Sequence, residues 1–396
     1  MEAFRNPFTP GAGTPPPELA GRDSLLDEVM LGIERVRRGF PERSSMLIGL
    51  RGVGKTVLLE VIRLKAEDAG CSTLMVEAPE EKSLPALLAP RLRTMLLQLS
   101  RVERAKDLAQ TALKYLAGFA KALKVKYRDI EIGWDAEPES GLADSGDLHL
   151  DLQSLMAAVG RAAQAADAVA VFLIDELQYV KQRELEALIM ALHHVGQRKL
   201  PVALVGAGLP QLRGNLGDAK SYAERLFMFT TVSALSREAT FEAVRVPIRS
   251  QDEDIEEDAL EEIFKQTQGY PYFIQEWGNH VWRAAQGSPI TRGDVVAASR
   301  TAQAALDQSF FGVRFDRLTP SEKKYLRAMA ELQMEVCRSG DVAALLGKKV
   351  QALSPTRSKL IEKGMVWSPE HGDTAFTVPL FGEFMRRIMP DSEWLK

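Results

Sequence analysis

The eight residues Gly49-Leu50-Arg51-Gly52-Val53-Gly54-Lys55-Thr56 constrain this chain more than any other stretch. They fit G-x-x-x-x-G-K-[ST], the P-loop spacing, and their surroundings have the order the motif needs. Ser45 to Ile48 is short, apolar and strand-like, and Val57 to Ile62 reads as a buried helix. Glycines let the loop turn its N–H groups onto phosphate oxygens, and a helix start adds the positive end of its dipole. Lys55 is then placed for the β- and γ-phosphates and the Thr56 hydroxyl for Mg²⁺. The plain alternative is a Gly-rich turn that happens to precede a lysine. The strand–loop–helix context favours a nucleotide phosphate site.

A second feature reinforces the first. Val169 to Ile174 is an apolar run that ends in Asp175-Glu176. Such a run suits a parallel strand covered on both faces, with ligands collecting at its C-terminal end. Asp175 is placed to hold Mg²⁺ through water, and Glu176 to orient and deprotonate an attacking water. The bland reading, two acids capping the next helix, loses weight with a P-loop upstream.

The rest of the chain reads in sequence around these two points. Residues 1–20 are rich in Pro and Gly and form no regular helix or strand. They are a solvated tail or an extended arm packed on the nucleotide domain, and Phe4 and Phe8 favour the arm. Helical spacing follows through Leu25, Leu26, Val29 and Ile33. Ser72 to Glu77 is a second strand, 84–124 two helices, Pro201 to Gly206 a buried strand and Phe227 to Val232 another. Lys126 to Trp134 is a hairpin or an extended insert, with no chemistry assigned to 124–147. The alternation predicts an α/β, doubly wound parallel-sheet domain over 22–235.

Beyond Ser236 the strands stop, and four helices are predicted near 237–249, 256–268, 271–286 and 291–307, with Thr291 as the last N-cap. From Val313 the texture changes again. Thr319-Pro320-Ser321-Glu322 opens a helix with an N-cap, Pro at N1 and Glu at N3. A short helix at 339–347 and a third from Ser354 to Gly364 precede a hairpin of 365–367 with 374–378. Helix, helix, helix and two-stranded wing predict a C-terminal winged helix-turn-helix over 313–396. Arg357, Lys359 and Lys363 lie on its third helix, with Lys348 and Lys349 at the preceding turn, as candidates for phosphates or base edges.

With both acids and the helical segment in place, the chain resembles AAA+ type P-loop ATPases of the Orc/Cdc6-like and STAND-like group. That resemblance implies ATP and Mg²⁺ as cofactors, a helical lid over 236–312 and an arm over 1–21. Gly21-Arg22-Asp23 is similar to the box that lines the adenine pocket in that group. Gly269-Tyr270-Pro271 resembles the lid box whose proline packs near the nucleotide. Arg225 sits where such ATPases carry an arginine finger, supplied across a subunit interface. Two departures from the pattern stand out. The strand at 201–206 ends in Gly206-Ala207-Gly208 and offers no polar sensor residue, and no sensor-2 arginine is visible in the lid. Slow hydrolysis is expected.

Composition narrows the function classes. The chain has 396 residues, two or three domains' worth, 45% hydrophobic and 26% charged. No apolar run reaches the roughly 18 residues of a membrane span. Met1 to Phe8 has no basic stretch before an apolar one, so no signal peptide is read, and a cytoplasmic location is expected. Cys71 and Cys337 form neither metal-ligand spacing nor a disulfide framework. The net charge of −4 hides a gradient, because 313–396 holds 14 Lys+Arg against 11 Asp+Glu. No N-K-x-D guanine motif is present, which favours ATP over GTP. The expected function is an ATP-hydrolysing, nucleotide-dependent switch that binds double-stranded DNA and forms nucleotide-dependent homo-oligomers. The alternative is a STAND-type signalling ATPase whose winged helix binds a protein partner. A small-molecule kinase lacks a visible acceptor-binding constellation.

Overall fold

In a computed structural model of the chain, residues 1–11, 13–78, 83–124, 141–390 and 394 are described, without the side chains of 123 and 124. The expected hairpin or insert at 126–134 lies outside them. The first half of the chain alternates strand and helix as its apolar pattern requires: α1 (Asp23–Arg37), β1 (Ser44–Ile48), α2 (Lys55–Asp68), β2 (Ser72–Glu77), α3 (Leu84–Leu99), α4 (Lys106–Lys124), α5 (Leu148–Ala166), β3 (Ala170–Asp175), α6 (Gln182–Gln197), β4 (Val202–Gly208), α7 (Leu212–Ala219), α8 (Ala223–Leu226) and β5 (Phe227–Thr231). The five strands form one parallel sheet in the order β2-β3-β4-β1-β5.

The near-continuous apolar sequence of β3 follows from burial on both faces. Ala170, Phe172 and Ile174 join one core with α3, α5 and α6, while Val171 and Leu173 join the core under α1 and α2. Because β4 lies between β1 and β3, the loop after β1 and the acids ending β3 face each other across the C-terminal end of β4. This arrangement fixes the site.

Four helices follow: α9 (Arg237–Arg249), α10 (Glu257–Thr267), α11 (Pro271–Ala284) and α12 (Arg292–Leu306). Thr291 caps α12 with a full capping box, its side chain accepting from the Asp294 N–H while the Asp294 carboxylate accepts from the Thr291 N–H. From α12 the helix runs on through a π turn at Asp307–Phe311 into α13 (Gly312–Asp316). The boundary expected at 312/313 therefore falls inside a continuous helical run. One hydrophobic core spans both sides of it, with Phe273, Trp277 and Trp282 of α11 in the same cluster as Tyr325, Phe381 and Phe384.

The C-terminal segment is α14 (Pro320–Leu332), β6 (Val336–Arg338), α15 (Ser339–Leu345), α16 (Val350–Glu362), β7 (Val366–Trp367), β8 (Asp373–Phe376) and α17 (Phe381–Ile388). Thr319 and Glu322 make the expected capping box at the start of α14. The strands form an antiparallel sheet in the order β6-β8-β7. Strand β6, three residues with only Cys337 buried, is too short to leave a periodic signal in the sequence. Helix α16 starts four residues before the expected Ser354, with Pro355 inside it. Burial of Leu353 outweighs the one backbone hydrogen bond that Pro355 cannot donate.

The N-terminal arm is anchored on the helical segment through its first eight residues, and Gly13 further along reaches the P-loop, where a Cβ would lie 3.5 Å from Thr56 Cγ2. The Phe8 ring packs against α11 where Gly278 leaves room, a Cβ there lying 2.5 Å from the ring. Asn6 Nδ2 donates to Asn279 Oδ1 at 2.8 Å, and Trp282 Nε1 donates to the Glu2 carbonyl at 3.0 Å. Phe4, by contrast, is 85% exposed, so only one of the two aromatic residues argues for the arm. Both cysteines are buried and unpaired. Among the described residues no helix is long and apolar enough to cross a membrane.

Candidate nucleotide site

Helix α2 begins at Lys55, immediately after Gly54, which takes the left-handed conformation at φ 92°. That conformation lets a loop turn abruptly into a helix without a Cβ penalty. The P-loop opens onto a cavity of about 580 Å³, large enough for a nucleotide. Arg51, Gly52, Val53, Gly54, Lys55 and Thr56 line it. Gly49 and Leu50 stand behind the lining. Their carbonyls accept from Lys55 Nζ at 3.0 and 2.9 Å, which holds the ammonium in the loop.

The acids lie against the loop. Thr56 Oγ1 donates to Asp175 Oδ2 at 2.5 Å, and Asp175 Oδ1 accepts from the Glu176 N–H at 2.8 Å. Glu176 lines the cavity and adopts a left-handed backbone, φ 54°, a conformation that carries strain in a non-glycine residue. Arg51 Nη1 lies 3.9 Å from Glu176 Oε1, and Gln178 Nε2 donates to Glu176 Oε2.

Electrostatics at this edge are unbalanced. Burial pushes the Asp175 carboxyl above its ordinary value; the Thr56 hydroxyl pulls it back, and the Glu176 charge pushes it further up. Glu77, level with Asp175 across β2 and β3, is also raised, by burial first and then by Asp175 and Glu176. Burial lowers Lys55, with Glu176 and Asp175 opposing it and Arg51 adding to it. The Asp175 carboxylate and the Thr56 hydroxyl are hard oxygen donors, and a divalent cation beside them relieves the repulsion of Asp175 with Glu77 and Glu176. Among the described residues no group of three or more His, Cys, Asp or Glu side chains makes a cage for a metal. Mg²⁺ takes one or two protein ligands and completes its shell with phosphate and water. Thr56 and Asp175 fit that role.

The helical segment and the arm close the cavity from the other side. Pro271 lines it at the first position of α11, and the Tyr272 N–H donates to the Gly52 carbonyl at 3.2 Å. Arg22 also lines it, and its guanidinium donates to the Val53 and Ser233 carbonyls at 3.3 and 2.6 Å. Its neighbour Gly21 does not reach the cavity and packs against Ala239 of α9, where a Cβ would lie 2.9 Å from that residue's own. Thr9, Gly13 and Thr14 of the arm complete the lining.

Sequence reasoning missed Arg314. It enters the cavity from α13, lies 4.2 Å from the Phe310 ring centroid, and donates to the Phe310 carbonyl. Burial and the nearby Arg51 charge lower its pKa to about 10. Its position follows from the π turn, which brings Phe310 into a stack with Tyr272 of α11 at 4.8 Å. Arg51 and Arg314 thus both line the cavity, Arg51 beside the Glu176 carboxylate and Arg314 with no carboxylate within ion-pair distance among the described residues.

The remaining expected residues are scattered. Arg225 is exposed on α8 and outside the cavity lining. In the C-terminal segment Lys348, Lys349 and Lys359 are exposed. Arg357 and Lys363 do not join them on a free surface. Arg357 donates to Thr374 Oγ1, Ser368 Oγ and the Asp373 carbonyl at 2.8, 2.7 and 2.6 Å, while Lys363 pairs with buried Glu322 at 2.7 Å.

Comparison with known proteins agrees with this geometry. Residues 18–205 match the family model described as "AAA ATPase domain". Residues 308–385 match one described as "Domain of unknown function (DUF8462)". No curated protein matches the chain. Among solved structures, the Walker-type ATPase PABY2304 of Pyrococcus abyssi aligns with a TM-score of 0.57 at 16% identity, over 93% of this chain and 96% of that one. Orc1 of Aeropyrum pernix, solved in complex with DNA, gives 0.47 at 15% identity, over 95% and 94%. RuvB of Thermotoga maritima gives 0.46 at 16%, over 94% and 96%. At such identities the first likeness shows the fold alone, and the other two are too loose to carry an argument. Residues 18–205 of this chain are an AAA ATPase domain.

Proposed function

We propose that the chain is a Mg²⁺-dependent ATPase working as a switch, in which the nucleotide at the P-loop sets whether the C-terminal segment stays seated on Arg51. The observation that carries this reading is a contact between the two. The Arg51 N–H donates to the Thr377 carbonyl at 3.0 Å and Arg51 Nε to the Gly364 carbonyl at 3.4 Å. A phosphate-binding loop tied directly to a distant segment gives each a differential interaction with the other's state. The helical segment shares its core with the C-terminal segment, so a change in its angle moves both together.

Lys55 and Arg314 bind the phosphates, Thr56 and Asp175 hold Mg²⁺, and Glu176 takes the proton of the attacking water. Bound Mg²⁺ supplies charge neutralisation at the phosphates. We read 22–235 as the ATPase core, 236–312 as its lid, and the order helix, strand, helix, helix, strand, strand after 313 as a winged helix. The output is binding of double-stranded DNA through exposed Lys348, Lys349 and Lys359, a smaller basic set than the sequence suggested. Engagement of Arg357 and Lys363 inside the segment favours the second reading, a protein partner on the same surface. Arg225, exposed and outside the cavity, acts only if a neighbouring copy presents it to this site.

Titrating a duplex with the protein in ATP, in ADP and without nucleotide, across a salt series, tests the output. DNA binding through three lysines gives log K against log salt a slope of about −0.9 per phosphate contact, differing between nucleotide states. Absent binding in all three removes DNA and leaves the protein partner, while identical binding in all three removes the nucleotide switch.

A further inference from the structure

We propose that Gln178 is the positioning residue for Glu176 and stands in for the polar side chain missing from the end of β4. The proposal deepens the reading of Glu176 as the base and rests on it. Strand β4 separates the P-loop strand from β3, so its C-terminal end points into the gap between the loop and the acids. A polar side chain there would point into that gap, yet the sequence offers Gly206-Ala207-Gly208.

The structure explains the glycines. A Cβ on Gly208 would lie 2.7 Å from Gln178 Oε1 and 2.7 Å from Leu212 Cδ2. One on Gly206 would collide with Leu177 and lie 2.6 Å from Met46 Sδ. Both positions are bare so that the 3₁₀ turn Leu177–Tyr179 can lie flat on the strand end. Into that space comes the amide of Gln178, 9% exposed.

Its orientation is fixed. Gln178 Oε1 accepts from the Leu209 N–H at 3.0 Å. An amide carries its acceptor and donor on different atoms, so an anchored Oε1 leaves Nε2 to face Glu176. Nε2 donates to Glu176 Oε2, while Oε1 of the same carboxylate faces Arg51. One carboxylate oxygen is thereby held by a hydrogen bond and the other lies 3.9 Å from a guanidinium, on a backbone already fixed in the left-handed region. The end of β4 thus contributes a backbone N–H, and Gln178 relays it to the base as a side-chain donor. Gln178 does not line the nucleotide cavity, so its loss is felt in the chemical step and not in ATP binding.

The test uses the full-length protein and three variants, each assayed for kcat and for ATP dissociation constant. Gln178→Leu keeps the volume and removes both polar contacts. Gln178→Glu, assayed at pH 8.5, keeps the acceptor for Leu209 and the packing but removes the donor to Glu176. Both are expected to lose about 10- to 100-fold in kcat, as loss of an outer-shell partner generally does, with ATP affinity within about twofold of wild type. Recovery of wild-type kcat by Gln178→Glu overturns the proposal, because the residue then serves only the Leu209 anchor. So does a loss that appears in ATP affinity with kcat unchanged. Glu176→Gln, run in parallel, separates the two levels. If it still turns over, the base lies elsewhere; if it is dead while both Gln178 variants are fully active, only the positioning role falls.

Discussion

The backbone N–H of Arg51, at the centre of the P-loop, donates to the carbonyl of Thr377, just past β8 in the C-terminal segment. The Arg51 guanidinium continues the contact, reaching the Gly364 carbonyl and, at 2.6 Å, the Tyr179 hydroxyl. The same side chain lies 3.9 Å from Glu176, so one arginine touches the loop, the base and the distant segment.

Gly364 makes this seat possible and is the place to disturb it. Its φ is +61°, and a Cβ would lie 2.7 Å from Tyr179 Oη and 2.9 Å from Arg51 Nη2. Gly364→Ala should cost about 1–3 kcal/mol through backbone strain and the close contact together. Hydrogen exchange should then quicken at the Arg51 amide, which loses its Thr377 partner, while the helices of the 237–306 segment stay protected. Unchanged exchange at Arg51 in the variant would show that the segment is not seated through this contact.

Lys363 offers a separate prediction, since it was expected on the nucleic-acid surface and is instead an internal partner of Glu322. Burial pushes the Glu322 carboxyl up, but the Lys363 ammonium and the N–H and hydroxyl of Thr319 outweigh it, leaving its pKa below the ordinary value. A carboxylate depressed in the folded state contributes stability above its unfolded pKa and loses it as pH falls through the folded one. Lys363→Met should therefore lower the melting temperature at neutral pH and flatten the acid limb of the stability curve. About 1–2 kcal/mol is expected, discounted because the lysine is partly exposed. Melting curves between about pH 3 and 7 check this; an unaltered acid limb would detach Glu322 from the pair.

These outcomes bear on what the sequence could convey. The P-loop and Asp175-Glu176 stood out in the sequence because each is a run of adjacent residues. The helices at 237–306 were legible nearly to the residue because caps such as Thr291 are local hydrogen-bonding devices. Arg357 and Lys363 were misjudged because a basic side chain does not disclose its partner, and here Thr374 and Glu322 arrive from other elements. Arg314 went unseen for a similar reason. Its place depends on a π turn and on a stack between Phe310 and a tyrosine from another helix, neither of which leaves a spacing signature. Likewise Gly206 and Gly208 read as a missing polar residue, and only the packed turn shows what occupies the space.

Arg314 should behave as a ligand group held at a cost. In the free protein its guanidinium is desolvated beside Arg51, with no carboxylate within ion-pair distance among the described residues. Arg314→Ala should leave the melting temperature of the nucleotide-free protein unchanged or higher. ATP should bind about 10- to 100-fold more weakly, corresponding to loss of one charge-assisted contact of about 1.5–3 kcal/mol. Thermal melts with and without ATP, beside direct titration, separate these effects. A variant that melts lower without nucleotide and binds ATP normally would make Arg314 structural.

Arg225 decides whether the chain acts alone. It is exposed on α8 and outside the lining of its own cavity. If a second copy supplies it, Arg225→Ala keeps an intact P-loop and base but presents no finger, while Glu176→Gln keeps the finger but has no base. Each alone should bind ATP and turn over at least about 100-fold more slowly, since a trans arginine contributes about 10³–10⁵ in rate where it acts. Mixed in equal amounts with ATP, they should regain a measurable fraction of wild-type activity, because some interfaces then pair an intact base with an intact arginine. Activity that rises with protein concentration in the wild type should accompany the rescue. If the mixture stays at the level of its components while Arg225→Ala alone hydrolyses normally, turnover is completed within one chain, by groups already in the cavity.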